Sequence, residues 1–265
     1  MPMAKNGDVD IFYEITGSGE PLVLIMGLGA DHTVWEKHLA AYEKNFRCPA
    51  IVNRGVGRSS KPDAAYSTAE MADDVAAAMD HAGISRAHVA GISMGGAIAQ
   101  ELALRRPDRA RSIVVTASWG RLPAFNAKVF EHFKAVRAHC RTVDFQLCVQ
   151  LWIWGPDWFS SEAEALASAR SDAERNPAPQ PQYAFGRQVD ACIAHDTFDR
   201  LQTLRTPTLI TAGELDIFTP LALSEAMHKA IAGSDLVVFP RCGHTHHWEQ
   251  LERFNSLTTR FMLQH

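Results

Sequence analysis

The sequence predicts an α/β fold in which a mostly parallel sheet is flanked by helices and interrupted once by a helical insertion. Short apolar runs alternate with amphipathic helical segments over most of the 265 residues. Residues 21–26 are apolar on both faces, which suits a central parallel strand covered on both sides. The alternation stops after Ala117 and resumes at Thr206, with helical periods between.

Taken in order, residues 8–16 alternate, with Val9, Ile11, Tyr13 and Ile15 on one side, and predict a strand closed by a Gly17-Ser18-Gly19 turn. Strand 21–26 runs into the loop Gly27-Leu28-Gly29-Ala30-Asp31. A helix is expected from Thr33, with Trp35 and Leu39 inward. Residues 48–52 predict a second buried strand, followed by Asn53-Arg54-Gly55-Val56-Gly57-Arg58-Ser59. That loop contains Gly-x-Gly but lacks the third glycine of a dinucleotide site, so it gives no support to a nucleotide cofactor. Met71, Val75 and Met79 mark an amphipathic helix over 68–82. A strand at 87–90, a helix from Met94 and a strand at 112–117 follow.

Residues 121–196 have mostly helical periods, as in Val129-Phe133-Val136 and 163–169, with a break at Asn176-Pro177-Ala178-Pro179-Gln180-Pro181. Of the six tryptophans, Trp119, Trp152, Trp154 and Trp158 lie in this segment or at its edge. Strand 206–211, helix 220–230, strand 236–239 and helix 248–261 complete the chain. The expected division is a core of residues 1–120 and 197–265 and a helical segment of residues 121–196, with no internal repeat.

Bulk properties narrow the function. Apolar content of 46% and charged content of 21% are globular values. A net charge of −4 without a Lys/Arg block argues against nucleic acid or an anionic membrane as partner. The longest apolar run, residues 22–30, is too short to span a bilayer, and the first residues lack a hydrophobic signal core, so a cytoplasmic location is expected. Cys48, Cys140, Cys148, Cys192 and Cys242 are scattered and odd in number, which suits small buried residues better than disulfides or a metal site.

The chemistry centres on Gly91-Ile92-Ser93-Met94-Gly95, between a strand and an amphipathic helix carrying Ala97, Ile98, Leu102 and Ala103. This is the spacing of a nucleophile elbow, a sharp turn that lifts a serine hydroxyl above the sheet edge and aims helix N–H groups at what it attacks. Without that context, Ser93 would be an ordinary helix N-cap between glycines. A serine hydroxyl needs a base. His244 follows the last predicted strand, with His246 and His247 as rivals. His-x-His-His could suggest a metal, but no carboxylate or thiolate completes a set nearby. An acid must orient the base, and the loop Gly213-Glu214-Leu215-Asp216 supplies Glu214 and Asp216.

At these residues the chain resembles the α/β-hydrolase fold family across nearly its whole length. Gly91-x-Ser93-x-Gly95, Gly213-x-x-Asp216-x-x-x-Pro220 and Gly243-His244-x-x-x-x-Glu249 carry the likeness. The resemblance implies an eight-stranded sheet, selects Asp216 over Glu214 and His244 over its neighbours, and makes residues 121–196 a cap over the site. Within the family the chain is most similar to the branch of 3-oxoadipate enol-lactonases and aminoacrylate (carbamate) hydrolases, through Ala117-Ser118-Trp119, Trp154-Gly155-Pro156-Asp157-Trp158 and the stretch after His244. Two departures stand out: Met26-Gly27 where members commonly have His-Gly, and Asn53 where they commonly have Asp. The first leaves the backbone donors in place; the second puts a loop ion pair in doubt.

The resemblance implies hydrolysis of a carboxylic ester or lactone through an acyl-enzyme on Ser93. Asp216 and His244 complete the triad, and the Leu28 and Met94 amides form the oxyanion hole. Trp119 and Trp154 are expected substrate contacts. A small to mid-sized, partly apolar molecule is the expected partner, with no cofactor and no metal, and with room for a homodimer. The same triad also serves carbamate hydrolysis, C–C cleavage of β-ketones and perhydrolysis, and a ligand receptor that keeps the triad is a remote alternative.

Overall fold

In the computed structural model, which describes residues 2–176 and 178–265, the chain opens with β1 (Met3–Asn6), β2 (Val9–Gly17) and β3 (Glu20–Ile25). There follow α1 (Glu36–Tyr42), β4 (Phe46–Ile51), α2 (Thr68–His81), β5 (Ala87–Ile92), α3 (Met94–Arg105) and β6 (Ala110–Thr116). Five helices come next: α4 (Ala124–His139), α5 (Thr142–Ile153), α6 (Pro156–Ser161), α7 (Ala163–Arg175) and α8 (Gln182–Ala194). The chain closes with β7 (Thr208–Gly213), α9 (Leu221–Ala230), β8 (Asp235–Phe239), α10 (His246–Glu249) and α11 (Leu251–Leu263).

The eight strands form one sheet in the order β1-β2-β4-β3-β5-β6-β7-β8. β2 runs antiparallel to β1 and β4; every later pairing is parallel. Alternation along each strand splits the core between the two faces. Val23, Ile25, Val89, Ile113, Val115 and Ile210 pack with Met71, Val75, Ile98 and Leu102 of α2 and α3. Leu22, Leu24, Ala90, Ile92, Val114 and Leu209 pack on the other face with Trp35, Tyr42 of α1 and Phe261 of α11. Leu24 and Ile25 are both fully buried, which is why residues 21–26 show no polar face.

Four local departures have physical causes. β1 was not expected, because Met3-Ala4-Lys5-Asn6 is too short and polar to show a period; it forms by pairing Ala4 with Ile11 in β2. The first helix begins as a 3-10 turn, His32–Trp35, because Asp31 caps the Thr33 amide at 3.0 Å. β7 starts at Thr208, since Pro207 has no N–H for the ladder. The last helix is broken at Gln250, which leaves helical geometry at φ −127° and ψ 56°.

The helices α4 to α8 leave the sheet at the carboxyl end of β6 and return before β7. Arg121 and Asp196 form an isolated antiparallel bridge at the base of this insertion, reinforced by their ion pair at 2.6 Å. Pro177, part of the break expected there, lies outside the described residues; α7 ends at Arg175 and α8 begins at Gln182. Among the described residues no helix is long and apolar enough to cross a membrane.

Candidate active site

Ser93 sits between β5 and α3 with φ 56° and ψ −117°, a left-handed conformation that a non-glycine residue adopts only under constraint. The constraint is visible in its neighbours. A Cβ on Gly91 would stand 2.1 Å from the Gly95 carbonyl oxygen, and one on Gly95 would stand 2.2 Å from the Ile25 carbonyl oxygen. The strand and helix therefore meet only because both positions lack side chains. The Ser93 amide donates to the Thr116 carbonyl at 2.8 Å, and the Ser118 hydroxyl donates to the Ser93 carbonyl at 2.9 Å, so β6 holds the elbow from the side. The Ser93 hydroxyl itself makes no hydrogen bond among the described residues.

Asp216 follows β7 and His244 follows β8. His244 Nδ1 and Asp216 Oδ2 are 2.8 Å apart, and both residues are buried. The carboxylate is locked by its own loop: Oδ1 accepts the Phe218 and Thr219 amides, each at 2.8 Å, and Oδ2 accepts the Thr219 hydroxyl at 2.8 Å. With Nδ1–H directed at Asp216, the imidazole keeps its Nε2 lone pair free to take a proton. Ser93 and His244 are not joined by a hydrogen bond in this conformation.

The rivals have other partners. Glu214 accepts the Arg241 amide at 2.8 Å, away from His244. His246 Nε2 pairs with the Thr211 hydroxyl at 3.0 Å, and His247 Nδ1 pairs with His38 Nε2 at 3.1 Å. Burial pushes His246 down to about 3 and His247 well below the ordinary histidine range, so both are neutral core residues. Among the described residues no group of three or more His, Cys, Asp or Glu is placed to hold a metal ion. Glu249 knots the histidine loop to the insertion: its carboxylate accepts the Gly243 amide at 3.0 Å, the Gly155 amide at 3.2 Å and the Thr245 hydroxyl at 2.9 Å. Burial raises its pKa, and those donors oppose the rise.

The amides of Leu28 and Met94 make no hydrogen bond among the described residues. Met94 opens α3, where N–H groups point out of the helix and favour negative charge. Gly27 lies beside the serine: a Cβ there would stand 3.6 Å from Ser93 Oγ. The departure at position 53 has a structural answer. Asn53 Nδ2 donates to the Met26 carbonyl at 2.8 Å, a bond that an ionised aspartate could not make. The ion pair of that loop is formed by Arg54, whose Nε and Nη2 reach Asp74 at 2.6 and 2.8 Å in a buried fork.

The two tryptophans expected to meet substrate both have packing partners. Trp119 is fully buried, edge-on to Phe130 at 5.3 Å and His195 at 6.2 Å. Trp154 stacks on Trp158 at 5.1 Å and tilts against Trp248. The ring beside His244 is Phe218, at 5.0 Å and nearly perpendicular. From Phe218 ring contacts run through Phe130 and Phe133, then Phe145, to Phe185. Phe185 lies 3.5 Å from where a Gly29 side chain would begin. An aromatic belt from the insertion thus joins the histidine loop to the loop carrying Leu28. Phe218 and Thr219 escaped sequence reading, although Asp-x-Phe-Thr-Pro is an Asx-type turn signal ahead of a helix.

A family model described as alpha/beta hydrolase fold matches residues 20–251. A protein of Azorhizobium caulinodans named "Putative carbamate hydrolase RutD" is 32% identical over 87% of this chain and 86% of its own. The enol-lactonase of Burkholderia xenovorans LB400 superposes with a TM-score of 0.90 at 24% identity, over 99% of this chain and 100% of that one. The meta-cleavage product hydrolase of Pseudomonas fluorescens IP01 superposes with a TM-score of 0.85 at 27% identity, over 100% and 98%.

Proposed function

The chain belongs to the alpha/beta hydrolase fold family, and from that premise we propose that it hydrolyses a carboxylic ester or lactone of a small to mid-sized, partly apolar substrate through an acyl-enzyme on Ser93. The observation that carries this reading is the locked Asp216–His244 pair at 2.8 Å, which leaves Nε2 as the proton acceptor on a sheet edge shared with a strained serine. Ser93 Oγ attacks the carbonyl carbon as His244 takes its proton. The Leu28 and Met94 amides receive the charge on the carbonyl oxygen, a contribution of about 3–4 kcal/mol for one such donor. His244 then returns the proton to the leaving alcohol, which separates with the C–O bond electrons. Water, deprotonated by the same imidazole, releases the acid and frees Ser93.

The aromatic belt supports the substrate class. Ser93 and His244 are only 5% and 6% exposed, so the reacting carbonyl is bound away from bulk water among rings. A second reading, hydrolysis of a carbamate, is favoured by the name of the 32%-identical relative, since the same residues attack a carbamoyl carbonyl. Turnover of a panel of aryl esters, lactones and carbamates by wild type and Ser93→Ala tests both readings. Ser93→Ala is expected to lose on the order of 10⁶ in kcat, as removal of a triad nucleophile does. Retention of a tenth of the activity or more would remove Ser93 from the mechanism, and the preferred acyl class decides between ester and carbamate.

A further inference from the structure

Beyond the residues that would touch substrate, one buried side chain of the insertion reaches the loop that presents the Leu28 amide. Gln188 on α8 has no exposed surface. Its Oε1 accepts the Gly29 amide at 3.0 Å and Gln180 Nε2 at 3.0 Å, and its Nε2 donates to the Arg54 carbonyl at 2.8 Å. One carboxamide therefore bridges three segments: the insertion, the 27–30 loop and the 53–55 loop. The loop it holds is a four-residue turn. The Ala30 amide donates to the Gly27 carbonyl at 3.4 Å, and Gly29 has φ +73°. A left-handed third residue is the type II pattern, in which the central peptide is turned over relative to type I. The N–H of that central peptide belongs to Gly29, and it is the group that Gln188 grips. In the preceding peptide the Gly27 carbonyl points to Ala30, so the Leu28 N–H, trans to it, points out of the turn.

We propose that Gln188 is a positioning residue for the oxyanion hole: it holds in place the turn that carries the Leu28 amide, so the hole is complete only while α8 is seated on the core. This rests on the serine-hydrolase reading above. Phe185, three residues earlier on the same helix, packs on Gly29 and strengthens the seat without polar contact. The other loop is fixed independently. Asn53 holds Met26, and the Arg54 guanidinium is engaged by Asp74, so the peptide of Gly29 has no second tie but Gln188 among the described residues. Misplacing one donor by about 1 Å is enough to cost on the order of a hundredfold in rate.

The test uses Gln188→Met, which keeps volume and removes both polar functions, and Gln188→Glu, which keeps the acceptor for the Gly29 amide in either form but donates to the Arg54 carbonyl only when its carboxyl is protonated, and sets charge against that carbonyl when ionised. The probe is an aryl boronic acid that forms a tetrahedral adduct on the serine. The hydrolysis product of the best panel substrate serves as ground-state ligand. Gln188→Met is expected to lower kcat and boronate affinity together, by about tenfold to a hundredfold, with product affinity unchanged. Gln188→Glu is expected to recover relative to wild type as pH falls, because the buried acid then donates again to the Arg54 carbonyl. The neighbouring charge, Arg54, is already neutralised by Asp74. Wild-type kcat and boronate affinity in folded Gln188→Met would overturn the proposal, as would an equal loss of product affinity. If Gln188→Met does not fold, the relative pH profile of Gln188→Glu decides alone, and a profile parallel to wild type overturns the proposal. Failure of the underlying reading looks different: wild type would then bind the boronate no better than Ser93→Ala.

Discussion

Replacing Asp216 by asparagine should inactivate the enzyme by turning the imidazole around, and the structure says why the amide cannot adapt. Oδ1 of Asp216 accepts two backbone amides, those of Phe218 and Thr219, each at 2.8 Å. In Asp216→Asn the carboxamide oxygen is held on that side, so the NH₂ group faces His244 Nδ1. Flipping the amide would leave two buried N–H donors against an N–H₂ group, at about 1–3 kcal/mol for each unpaired donor. The NH₂ therefore donates to Nδ1, the imidazole proton moves to Nε2, and the lone pair needed by Ser93 is gone. A wrong tautomer of this kind costs on the order of 10⁴ in kcat, or about 5 kcal/mol in barrier. The assay is steady-state hydrolysis of an aryl acetate, with circular dichroism and Tm as controls on folding. Glu214→Gln is the matched control. Its oxygen can still accept the Arg241 amide, and kcat is expected to stay close to wild type. A variant Asp216→Asn that keeps more than about a tenth of wild-type kcat/KM would refute the tautomer argument, and a larger loss in Glu214→Gln would move the acid by two residues.

Two further outcomes are expected. Burial pushes His38 and His195 down to about 4 and His246 down to about 3, from 6.5. The unfolded chain therefore takes up protons in a range where the fold does not. This stabilisation is fully present above pH 6.5 and is lost as pH falls toward 4, at about 1.4 kcal/mol per pH unit for each such histidine. A Tm that stays flat from about pH 7 to pH 5 would contradict it. Trp119→Ala is expected to destabilise the fold by about 3–5 kcal/mol, because it empties a closed core site. Trp154→Ala, at a half-buried stack, should leave Tm nearly unchanged. If Trp119→Ala cost less than about 1 kcal/mol, the packing role assigned to that ring would be wrong.

What could be read from the chain depended on whether the cause was local. The elbow was legible because its signature lies within five residues: two glycines where a Cβ would come within 2.1–2.2 Å of a carbonyl oxygen, one of them that of Ile25 in β3, and a serine forced to positive φ between them. The central strands were legible because burial on both faces writes a continuous apolar run. Between Glu214 and Asp216 the residues alone left the choice open. What separates them is a loop that folds its own amides onto one carboxylate; Pro220 marks the end of that loop in the sequence, whereas nothing marks the parts of Phe218 and Thr219. Where the Trp119 and Trp154 rings pack was not legible, since spacing cannot say which way a ring faces. Phe218 has the place beside His244, and it lies outside the insertion where the aromatic density drew attention. Gln188 is the limiting case. It meets Gly29 across 159 residues of chain, and nothing near either residue marks the contact. A sequence can encode a turn that is able to present an amide. If Gln188 holds that turn as proposed, the same catalytic motif is active or idle according to where the insertion sits.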